Sequence, residues 1–550
     1  MAGGVSRAAP GGAGGDAPGA ARRPRVLGLV AIAVALGLLN AASFAPLSHW
    51  TVGLAAIAGL VALLDARAAR GGGPLVQAGL AFAFGLGWFG AGLAWLYVSM
   101  HDYGGMPSAM AAAAVLLFAA YLSLYPALAV GLWARFAAPR APHARAAALA
   151  GAWTLGELAR GWVFTGFPWL AVGYAQIDGP LDALAPLLGV FGIGFAAVFA
   201  GALLAAAAAP PAMQAAGAAA RGPRMRLVPL AVLGLLLALA WAAPRGAWVS
   251  PAGPPLSVRL VQGNVAQDMK FRPDRTLAAM QDYARRFVDG RAALTVLPET
   301  AWTLPWDRTP GPIAAAVAAH VARGHALAVG LPTIVPPPPG SVDPRVANSV
   351  LLMRAGVPVD PLDAAQRYDK HHLVPFGEFV PPGFRWFVDM MSIPLGDFAR
   401  GAPVQPAFEV GGQRVAFNVC YEDLFGDEIR RALPGTAGAT VLANVSNIAW
   451  FGNSHALPQH LAISRMRSLE TGRPMLRATN TGVTAAIDAE GRVTARLPAL
   501  VAGELDVVVQ GTTGLTPFAR WGHAPLVAIA IAGLAAGALR ERTERRGRSR

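Results

Sequence analysis

The chain has 550 residues, of which 55% are apolar and only 14% are charged, and its mean hydropathy is +0.45. These values exclude an ordinary soluble protein and predict several membrane-spanning segments. The formal net charge of +14 would suit a nucleic-acid-binding protein, but the arginines stand in short loops and tails beside apolar runs, where they set membrane topology. We therefore expect no nucleic acid as a partner.

Apolar runs divide the chain into about eight candidate transmembrane helices. Several are shorter than the ~20 residues of a straight span, so the count depends also on the charges between them. The runs cover residues 26–45, 50–64, 75–99, 108–134, 146–163, 184–209, 226–243 and 524–539.

The arginines alternate from loop to loop, as the positive-inside rule requires. They occur before the first run and after the second, fourth and sixth, whereas the loops "FAPLSHW" and "VSMHDYGGMPS" carry no Lys or Arg. The arginine-bearing segments are therefore predicted to be cytoplasmic, and seven spans place residues 256–509 outside. A cleaved signal peptide is the alternative for the first run, because "NAASFAP" ends in small residues.

These features predict five regions of the chain. Within the fifth span, Glu157 and Arg160 lie three residues apart on one helix face, either as an ion pair or as a contact to a lipid headgroup. The regions are a disordered cytoplasmic tail (1–25), a seven-helix transmembrane domain (26–248), an external catalytic domain (249–512), an eighth transmembrane helix (524–539) and a basic cytoplasmic tail (540–550).

The external region has the pattern of an α/β layered domain. Helical patterns are predicted near residues 274–289, 312–323 and 455–473. Strand patterns recur in "SVRLVQGNV", "ALTVLPET", "ALAVGLP", "NSVLLMRAG", "RVAFNVCYED", "TVLANVSN" and "PMLRATNTGVTAAID".

Three reactive side chains stand beside strand patterns of this region: Glu299, Lys370 and Cys420, the only cysteine of the chain. Alone, each has an ordinary explanation: a helix cap, a solvated surface charge and a small buried apolar residue. Together they fit one mechanism. The carboxylate takes the thiol proton, the ammonium lowers the thiol pKa and stabilises an oxyanion, and the sulfur carries an acyl group.

The segments "LPET", "KHHLVPFGEF" and "NVCYED" resemble the Glu, Lys, Cys triad of the nitrilase-like carbon–nitrogen hydrolases, which implies an αββα sandwich. With "GWVFTGFPWLAVGYAQIDGPL", "VQGNVAQDMKF", "SNIAWFG" and "HLAISRMRSLETGRPMLRATNTGVTAAID", residues 26–540 resemble the apolipoprotein N-acyltransferase family. The resemblance implies a bacterial inner-membrane enzyme with a periplasmic catalytic domain. A phospholipid, commonly phosphatidylethanolamine, would acylate Cys420, and the thioester would pass its chain to the α-amino group of the S-diacylglyceryl cysteine of a lipoprotein precursor.

The resemblance also implies roles for residues around the triad. Glu378 matches an additional glutamate of the family and would orient Lys370 or the substrate amine, while Tyr421 and Glu422 would either fix the turn that presents the sulfur or help to form the site. Asp423 is interpreted as structural.

Aromatic residues near the triad are candidates for substrate binding. We assign this role to Phe271, Trp302, Trp450 and Phe451; Phe271 stands where the family pattern has a tryptophan. The adjacent His371 and His372 have no second group at ligand spacing, so we expect no metal and no cofactor.

Two other functions are compatible with parts of the sequence. A membrane-anchored nitrilase-like amidase would use the same triad, with water resolving the acyl-enzyme. A non-catalytic transporter or scaffold would bind lipids or lipoproteins through its outer domain and would not need Cys420.

Overall fold

The computed structural model describes residues 23–136, 141–209, 224–243, 246–267, 270, 272–337, 343–386 and 397–535. Every apolar run predicted as a span corresponds to a helix. These helices are α1 (Arg23–Ala41), α2 (Trp50–Ala69), α3 (Pro74–Gly92), α4 (Ser108–Phe136), α5 (Pro142–Arg160), α6 (Ala185–Ala208), α7 (Arg224–Ala242) and a C-terminal helix, Ala524–Ala535.

The helices differ in how well they suit a bilayer. Four segments of the described chain are long and apolar enough to cross it: α2, α3, α4 and Pro180–Ala208, which includes α6. Val26–Ala41, Leu227–Ala242 and Ala524–Ala535 are apolar but shorter. Helix α5 carries Arg145, Glu157 and Arg160, which reduce its hydropathy. The protein is therefore a helical membrane protein, whereas the number of crossings does not follow from helix length alone.

Helices α1 and α3 approach each other closely through glycine. A Cβ atom on Gly37 would lie 2.0 Å from the carbonyl oxygen of Phe84, and one on Gly87 would lie 2.3 Å from that of Val34. Small residues at such crossings allow backbone contact between membrane helices, where there is no hydrophobic effect to drive association. The first apolar run is thus an integral part of the helix bundle.

The rest of the described chain forms two six-stranded sheets and one small sheet that pairs Val249–Pro251 with Thr512–Gly514. The strands are β1 (Val249–Pro251), β2 (Leu256–Gln262), β3 (Leu294–Val296), β4 (Ala326–Val335), β5 (Arg345–Met353), β6 (Arg367–Asp369), β7 (Phe408–Val410), β8 (Gln413–Val419), β9 (Val441–Ser446), β10 (Met475–Thr479), β11 (Ala485–Ile487), β12 (Val493–Arg496), β13 (Gly503–Val509) and β14 (Thr512–Gly514). The first six-stranded sheet has the order β13-β2-β3-β4-β5-β6, and the second has the order β12-β11-β10-β9-β8-β7.

The two sheets pack face to face and are covered by helices. Buried residues of both sheets, among them Leu260 and Val419, form one apolar core between them. Helices α8 (Pro273–Val288) and α9 (Gly311–Ala322) pack outside the first sheet, and α10 (Ala456–Thr471) packs outside the second. This arrangement is the predicted αββα sandwich, and the three predicted helical stretches are confirmed to within two residues at each end.

Parallel strands bring the predicted reactive residues to one end of the sandwich. Strands β2, β3 and β4 run parallel in the first sheet, and β8, β9 and β10 run parallel in the second. Glu299 follows β3, Lys370 follows β6 and Cys420 follows β8. Side chains on the loops at such strand ends are held by a rigid scaffold, which suits a catalytic site.

The sandwich rests on the membrane helices through a continuous apolar interface. Tyr421, Phe425 and Met466 belong to the same buried cluster as the residues of the helix bundle. A polar contact fixes the interface as well, because a carboxylate oxygen of Glu470 in α10 accepts a 2.7 Å hydrogen bond from the backbone N–H of Val190, beside a kink in α6. The turn that carries Cys420 therefore lies next to the membrane domain.

Candidate active site

Cys420 is held in a conformation that non-glycine residues rarely adopt. It stands directly after β8 with φ +52° and begins a short turn, Cys420–Leu424. A left-handed residue of this kind costs of order 1–3 kcal/mol and persists only where its surroundings hold it. Its carbonyl oxygen accepts hydrogen bonds from His460 Nε2 at 3.2 Å and from Asn444 Nδ2 at 3.3 Å.

The tautomer of His460 follows from its neighbours. Nδ1 lies 2.6 Å from Nη2 of Arg477, which can only donate, so Nδ1 accepts and Nε2 carries the hydrogen bonded to Cys420. Burial, together with the charge of Arg477, holds the pKa of His460 well below its ordinary value. This neutral imidazole is thus a fixed donor that supports the strained turn.

Glu299 is buried and oriented from both sheets. Its Oε1 accepts a 2.8 Å hydrogen bond from Asn348 Nδ2 of the first sheet, and its Oε2 accepts a 2.7 Å bond from the backbone N–H of Asn447, which follows the second. Gly330 of β4 makes room for this loop, because a Cβ there would lie 2.7 Å from the Cα of Glu299. The carboxylate is therefore placed at the meeting point of the two sheets.

Lys370 lies between two carboxylates and is 1% exposed. Its Nζ is 2.9 Å from Glu378 Oε1 and 3.5 Å from Glu299 Oε1. Burial alone would lower the pKa of Lys370, but the charges of Glu378 and Glu299 outweigh it and raise the pKa above the ordinary value. The lysine is consequently a permanent cation at neutral pH.

The thiol of Cys420 is protonated in the resting site. Burial is the largest cause, and the charge of Glu299 adds to it, so the pKa of Cys420 is raised to about 12 although Lys370 acts in the opposite direction. From the sequence we expected Lys370 to lower the pKa of the thiol. Its charge does act in that direction, but burial and the charge of Glu299 together have the larger effect on the pKa. A base must therefore remove the proton during attack, rather than beforehand.

Glu422 connects the cysteine turn to the lysine loop. Its Oε1 accepts hydrogen bonds from the backbone N–H groups of His371 at 2.7 Å and His372 at 3.0 Å. Its Oε2 accepts from the backbone N–H of Val419 at 2.6 Å and from the hydroxyl of Tyr368 at 2.9 Å. With four donors satisfied, this side chain positions both loops and does not face a substrate.

Tyr421 connects the same turn to the membrane domain, since its hydroxyl donates a 2.8 Å hydrogen bond to the carbonyl oxygen of Gly166. Asp423 is fully buried and pairs with Arg477 at 3.3 Å, in keeping with the structural role predicted for it. His372 Nδ1 lies 3.0 Å from Glu428, and no group of three potential metal ligands occurs among the residues that the structure describes.

Three of the predicted substrate-binding aromatics lie in the described part of the chain, and they occupy two different environments. Trp302 is 0% exposed, belongs to the core beneath α8 and α9, and donates its indole N–H to Thr309, so its predicted contact with lipid is wrong. Trp450 packs against Tyr103 and Phe451 packs against Trp95, both from the membrane domain. Phe271 lies outside the described residues.

Three polar residues around Glu299 were missed in the sequence, as were His460 and Asn444 beside Cys420. Asn348 and Asn447 orient Glu299, and Lys270 Nζ donates a 3.2 Å hydrogen bond to the Glu299 carbonyl oxygen. Burial lowers the pKa of Lys270 to about 8, against the opposing charges of Glu299 and Cys420. Asn348 interrupts the apolar run of β5, and this was the signal that could have identified it.

The fold and the cluster of Glu299, Lys370 and the half-buried Cys420 define a protein of the carbon–nitrogen hydrolase class. The family model for carbon-nitrogen hydrolases matches residues 257–513, and the model for the N-terminal domain of apolipoprotein N-acyltransferases matches residues 36–203. A solved carbon–nitrogen hydrolase superfamily protein from Xanthomonas campestris aligns with 96% of its chain and 52% of this one, at 18% identity and a TM-score of 0.34.

Similarity to named proteins extends over nearly the whole chain. The apolipoprotein N-acyltransferase of Ralstonia nicotianae is 46% identical over 93% of this chain and 93% of its own. That of Bordetella bronchiseptica is 45% identical over 94% of this chain and 97% of its own. The chain belongs to the apolipoprotein N-acyltransferase family and is an enzyme.

Proposed function

We propose that this enzyme transfers a fatty acyl chain from a phospholipid to the α-amino group of the S-diacylglyceryl cysteine of a lipoprotein precursor, by a ping-pong mechanism with a thioester on Cys420. The observation that carries the proposal is the cluster of Glu299, Lys370 and Cys420 at the interface between the sandwich and the membrane helices. A site in this position lies close to the bilayer that holds both substrates.

In the first half-reaction, the Cys420 sulfur attacks the ester carbonyl as Glu299 takes the thiol proton. The negative charge that develops on the carbonyl oxygen is stabilised by Lys370, a contribution of roughly 3 kcal/mol by analogy with oxyanion donors in other enzymes. The tetrahedral species collapses by breaking the ester C–O bond. Glu299 returns the proton to the departing oxygen, which leaves a lysophospholipid and the Cys420 thioester.

In the second half-reaction, the amine of the acceptor attacks the thioester carbonyl. Glu299 removes a proton from the attacking nitrogen, the C–S bond breaks, and the sulfur of Cys420 regains a proton. The product is an amide, which is more stable than the thioester, so the transfer does not reverse. Glu378 keeps Lys370 in place through both steps, in accord with the 2.9 Å distance between Lys370 Nζ and Glu378 Oε1.

The membrane arrangement belongs to the same proposal. Eight spans, with tails 1–25 and 540–550 in the cytoplasm and domain 249–512 in the periplasm, agree with the alternation of arginines and with the eight helices. Integration of α1 into the bundle through Gly37 favours a first span over a cleaved signal peptide. The host membrane would be the bacterial inner membrane, and phosphatidylethanolamine is the proposed donor.

The proposal is tested by product analysis with the purified full-length enzyme in detergent. Phosphatidylethanolamine and a synthetic S-diacylglyceryl lipopeptide with a free N-terminus are supplied, and the products are separated by mass. We expect lysophosphatidylethanolamine and N-acylated lipopeptide in equal amounts, and neither product with Cys420→Ala. Free fatty acid without acylated lipopeptide would instead identify a hydrolase, and full activity of the Cys420→Ala variant would contradict the assignment of the nucleophile.

A further inference from the structure

Helix α5 ends in a buried ion pair that the reaction itself does not use. Glu157 is 4% exposed and Arg160 is 2% exposed, and Arg160 Nη2 lies 3.6 Å from Glu157 Oε1. Their low exposure and direct contact favour an ion pair over a contact to a lipid headgroup, the two interpretations offered by the sequence. Burying two charges costs several kcal/mol per ion unless further hydrogen bonds compensate, so the partners of the pair indicate its role.

Those partners lie in one segment, residues 161–172, which we name the bridging loop. Arg160 Nη1 donates 2.7 Å hydrogen bonds to the carbonyl oxygens of both Phe167 and Trp169. Glu157 Oε1 accepts a 2.9 Å bond from the backbone N–H of Val172. The backbone carbonyl of Arg160 in turn accepts a 2.8 Å bond from the N–H of Phe167. The charges are thus directed at the backbone of this loop.

The bridging loop needs such support because its backbone is strained. Phe164, Thr165 and Gly166 have consecutive positive φ values of 53°, 72° and 87°. A Cβ on Gly166 would lie 2.1 Å from the carbonyl oxygen of Gly161, so no other residue fits there. Conformations of this kind persist only where several contacts determine them, and Arg160 provides three of those contacts.

The opposite side of the bridging loop contacts the turn that carries the nucleophile. The carbonyl oxygen of Gly166 accepts a 2.8 Å hydrogen bond from the hydroxyl of Tyr421, the residue that follows Cys420. The ring of Trp169 stacks on His460 with centroids 5.7 Å apart, and His460 donates to the Cys420 carbonyl oxygen. One strained segment of the membrane domain therefore joins the charge pair to both groups that flank the strained cysteine.

From this chain of contacts we infer that the Glu157–Arg160 pair of the membrane domain positions the Cys420 turn for acyl transfer, acting through the bridging loop. Both are positioning residues, since neither touches the reacting atoms. The inference rests on the proposed function, because acyl transfer is the reaction whose geometry the pair maintains. It assigns to the membrane domain a part in catalysis in addition to anchoring.

The test compares Arg160→Lys with Tyr421→Phe and with the double variant. Arg160→Lys keeps the charge opposite Glu157 but lacks the guanidinium that reaches two carbonyls. We expect a loss of about tenfold or more in the kcat of acyl transfer for each single variant, with KM for phospholipid changed less than twofold, because a small misplacement of the nucleophile lowers the rate steeply. The double variant should lose no more than the worse single variant, since both interrupt one chain of contacts.

A second readout does not depend on acyl transfer. Cys420 is the only cysteine, so the rate of its alkylation by iodoacetamide can be followed by intact mass. A loosened turn admits water to the sulfur, and we expect alkylation at pH 9 several-fold faster in both single variants and no faster still in the double variant. This measurement separates the two hypotheses: if the unaltered protein forms no thioester, the proposed function fails while the alkylation rates still decide the inference.

The matched control is Arg465→Gln, which removes a partly exposed ion pair of 2.7 Å to Asp178 at the same domain interface and a 2.9 Å hydrogen bond to the carbonyl oxygen of Gly491. Neither bond involves a residue of the bridging loop. It should leave kcat and the alkylation rate within twofold, as exposed pairs contribute little. Thermal unfolding in detergent checks that each variant is folded. The inference would be overturned if folded Arg160→Lys had the same kcat and alkylation rate as the unaltered protein. It would also be overturned if the losses of the two single variants multiplied in the double variant, or if the Arg465→Gln control were as slow as Arg160→Lys.

Discussion

Asn348 donates hydrogen bonds from a single side-chain nitrogen to two buried carboxylates, Glu299 at 2.8 Å and Glu378 at 2.9 Å. Its backbone carbonyl accepts a 2.8 Å bond from the N–H of Lys370, which lies between the same carboxylates. One residue of β5 therefore sets the relative positions of the proposed base, cation and accessory glutamate. Two negative charges stay close together only where a cation and a neutral donor both face them.

Removal of this amide should slow both half-reactions. Asn348→Ala leaves the carboxylates without their shared donor, and we expect acyl transfer to fall by about 10- to 100-fold through misplacement of Glu299. Asn348→Asp adds a third negative charge and should be slower than Asn348→Ala. Initial rates of lipopeptide acylation check both variants, with the exposed Gln510→Ala as control. Equal rates for Asn348→Ala and the unaltered enzyme would show that the amide has no positioning role.

Replacement of the proposed base should separate thiol acidity from catalysis. In Glu299→Gln the negative charge that helps to raise the pKa of Cys420 is lost, so the thiolate fraction and the alkylation rate at pH 9 should increase. Acyl transfer should nevertheless fall by about 10²–10⁴-fold, because the amide cannot accept the proton. Glu409→Gln, which changes an exposed carboxylate of β7, provides the matched control. Retention of transfer by Glu299→Gln would exclude Glu299 as the base.

The pH dependence of alkylation follows from the raised pKa of the thiol. The pKa of Cys420 is about 12, against an ordinary value of 9.0. In the folded protein the Cys420 thiol therefore keeps its proton over the pH range in which a free thiol loses it. Because only the thiolate reacts, the rate should rise about tenfold per pH unit from pH 8 to pH 10 without a plateau. Intact-mass measurements on samples quenched at successive times check this rate. A plateau near pH 9 would mean that burial and Glu299 do not raise the pKa of Cys420.

Loss of the buried cation should weaken the fold as well as the reaction. Lys370→Met leaves Glu299 and Glu378 facing each other without a countercharge, and breaking a buried pair costs about 3–5 kcal/mol. We expect a marked decrease in Tm in detergent and no detectable thioester. The same substitution at Arg492, whose charge is largely exposed, should leave Tm nearly unchanged. A stable Lys370→Met protein that still forms the thioester would contradict the role of Lys370.

The proposed topology can be tested with single cysteines in a Cys420→Ser background. Leu47 and Arg70 are both exposed and flank α2 on opposite sides. In spheroplasts, a membrane-impermeant maleimide should label Leu47→Cys, whereas Arg70→Cys should react only after permeabilisation, because arginine-bearing loops stay in the cytoplasm. The reverse pattern would invert the topology and place the catalytic domain in the cytoplasm.

Much of the fold could be predicted because its patterns are local. Each of the eight apolar runs corresponds to a helix of the described chain, and the strand and helix patterns predicted an α/β layered domain. The αββα sandwich itself was implied by the family resemblance. Edge strands such as β12 and β13 were missed, because half of their residues face solvent and their patterns are weak. Glu299, Lys370 and Cys420 were found because each is a reactive residue type placed beside a strand.

What the sequence did not reveal depends on distant contacts. The bond from Tyr421 to Gly166 joins residues 255 positions apart, and the bond from Asn447 to Glu299 joins residues 148 positions apart. The balance that raises the thiol pKa likewise depends on burial, which no local pattern measures. Trp302 shows the converse error: an aromatic near the site suggested lipid contact, whereas the fold buries it in the core.

The most direct test of the central claim is the mass of the enzyme after incubation with phosphatidylethanolamine and no acceptor. We expect one added fatty acyl chain, located on the peptide that contains Cys420 and released when the S-diacylglyceryl lipopeptide is added. An enzyme that acylates the lipopeptide while Cys420 never carries an acyl chain would contradict the account.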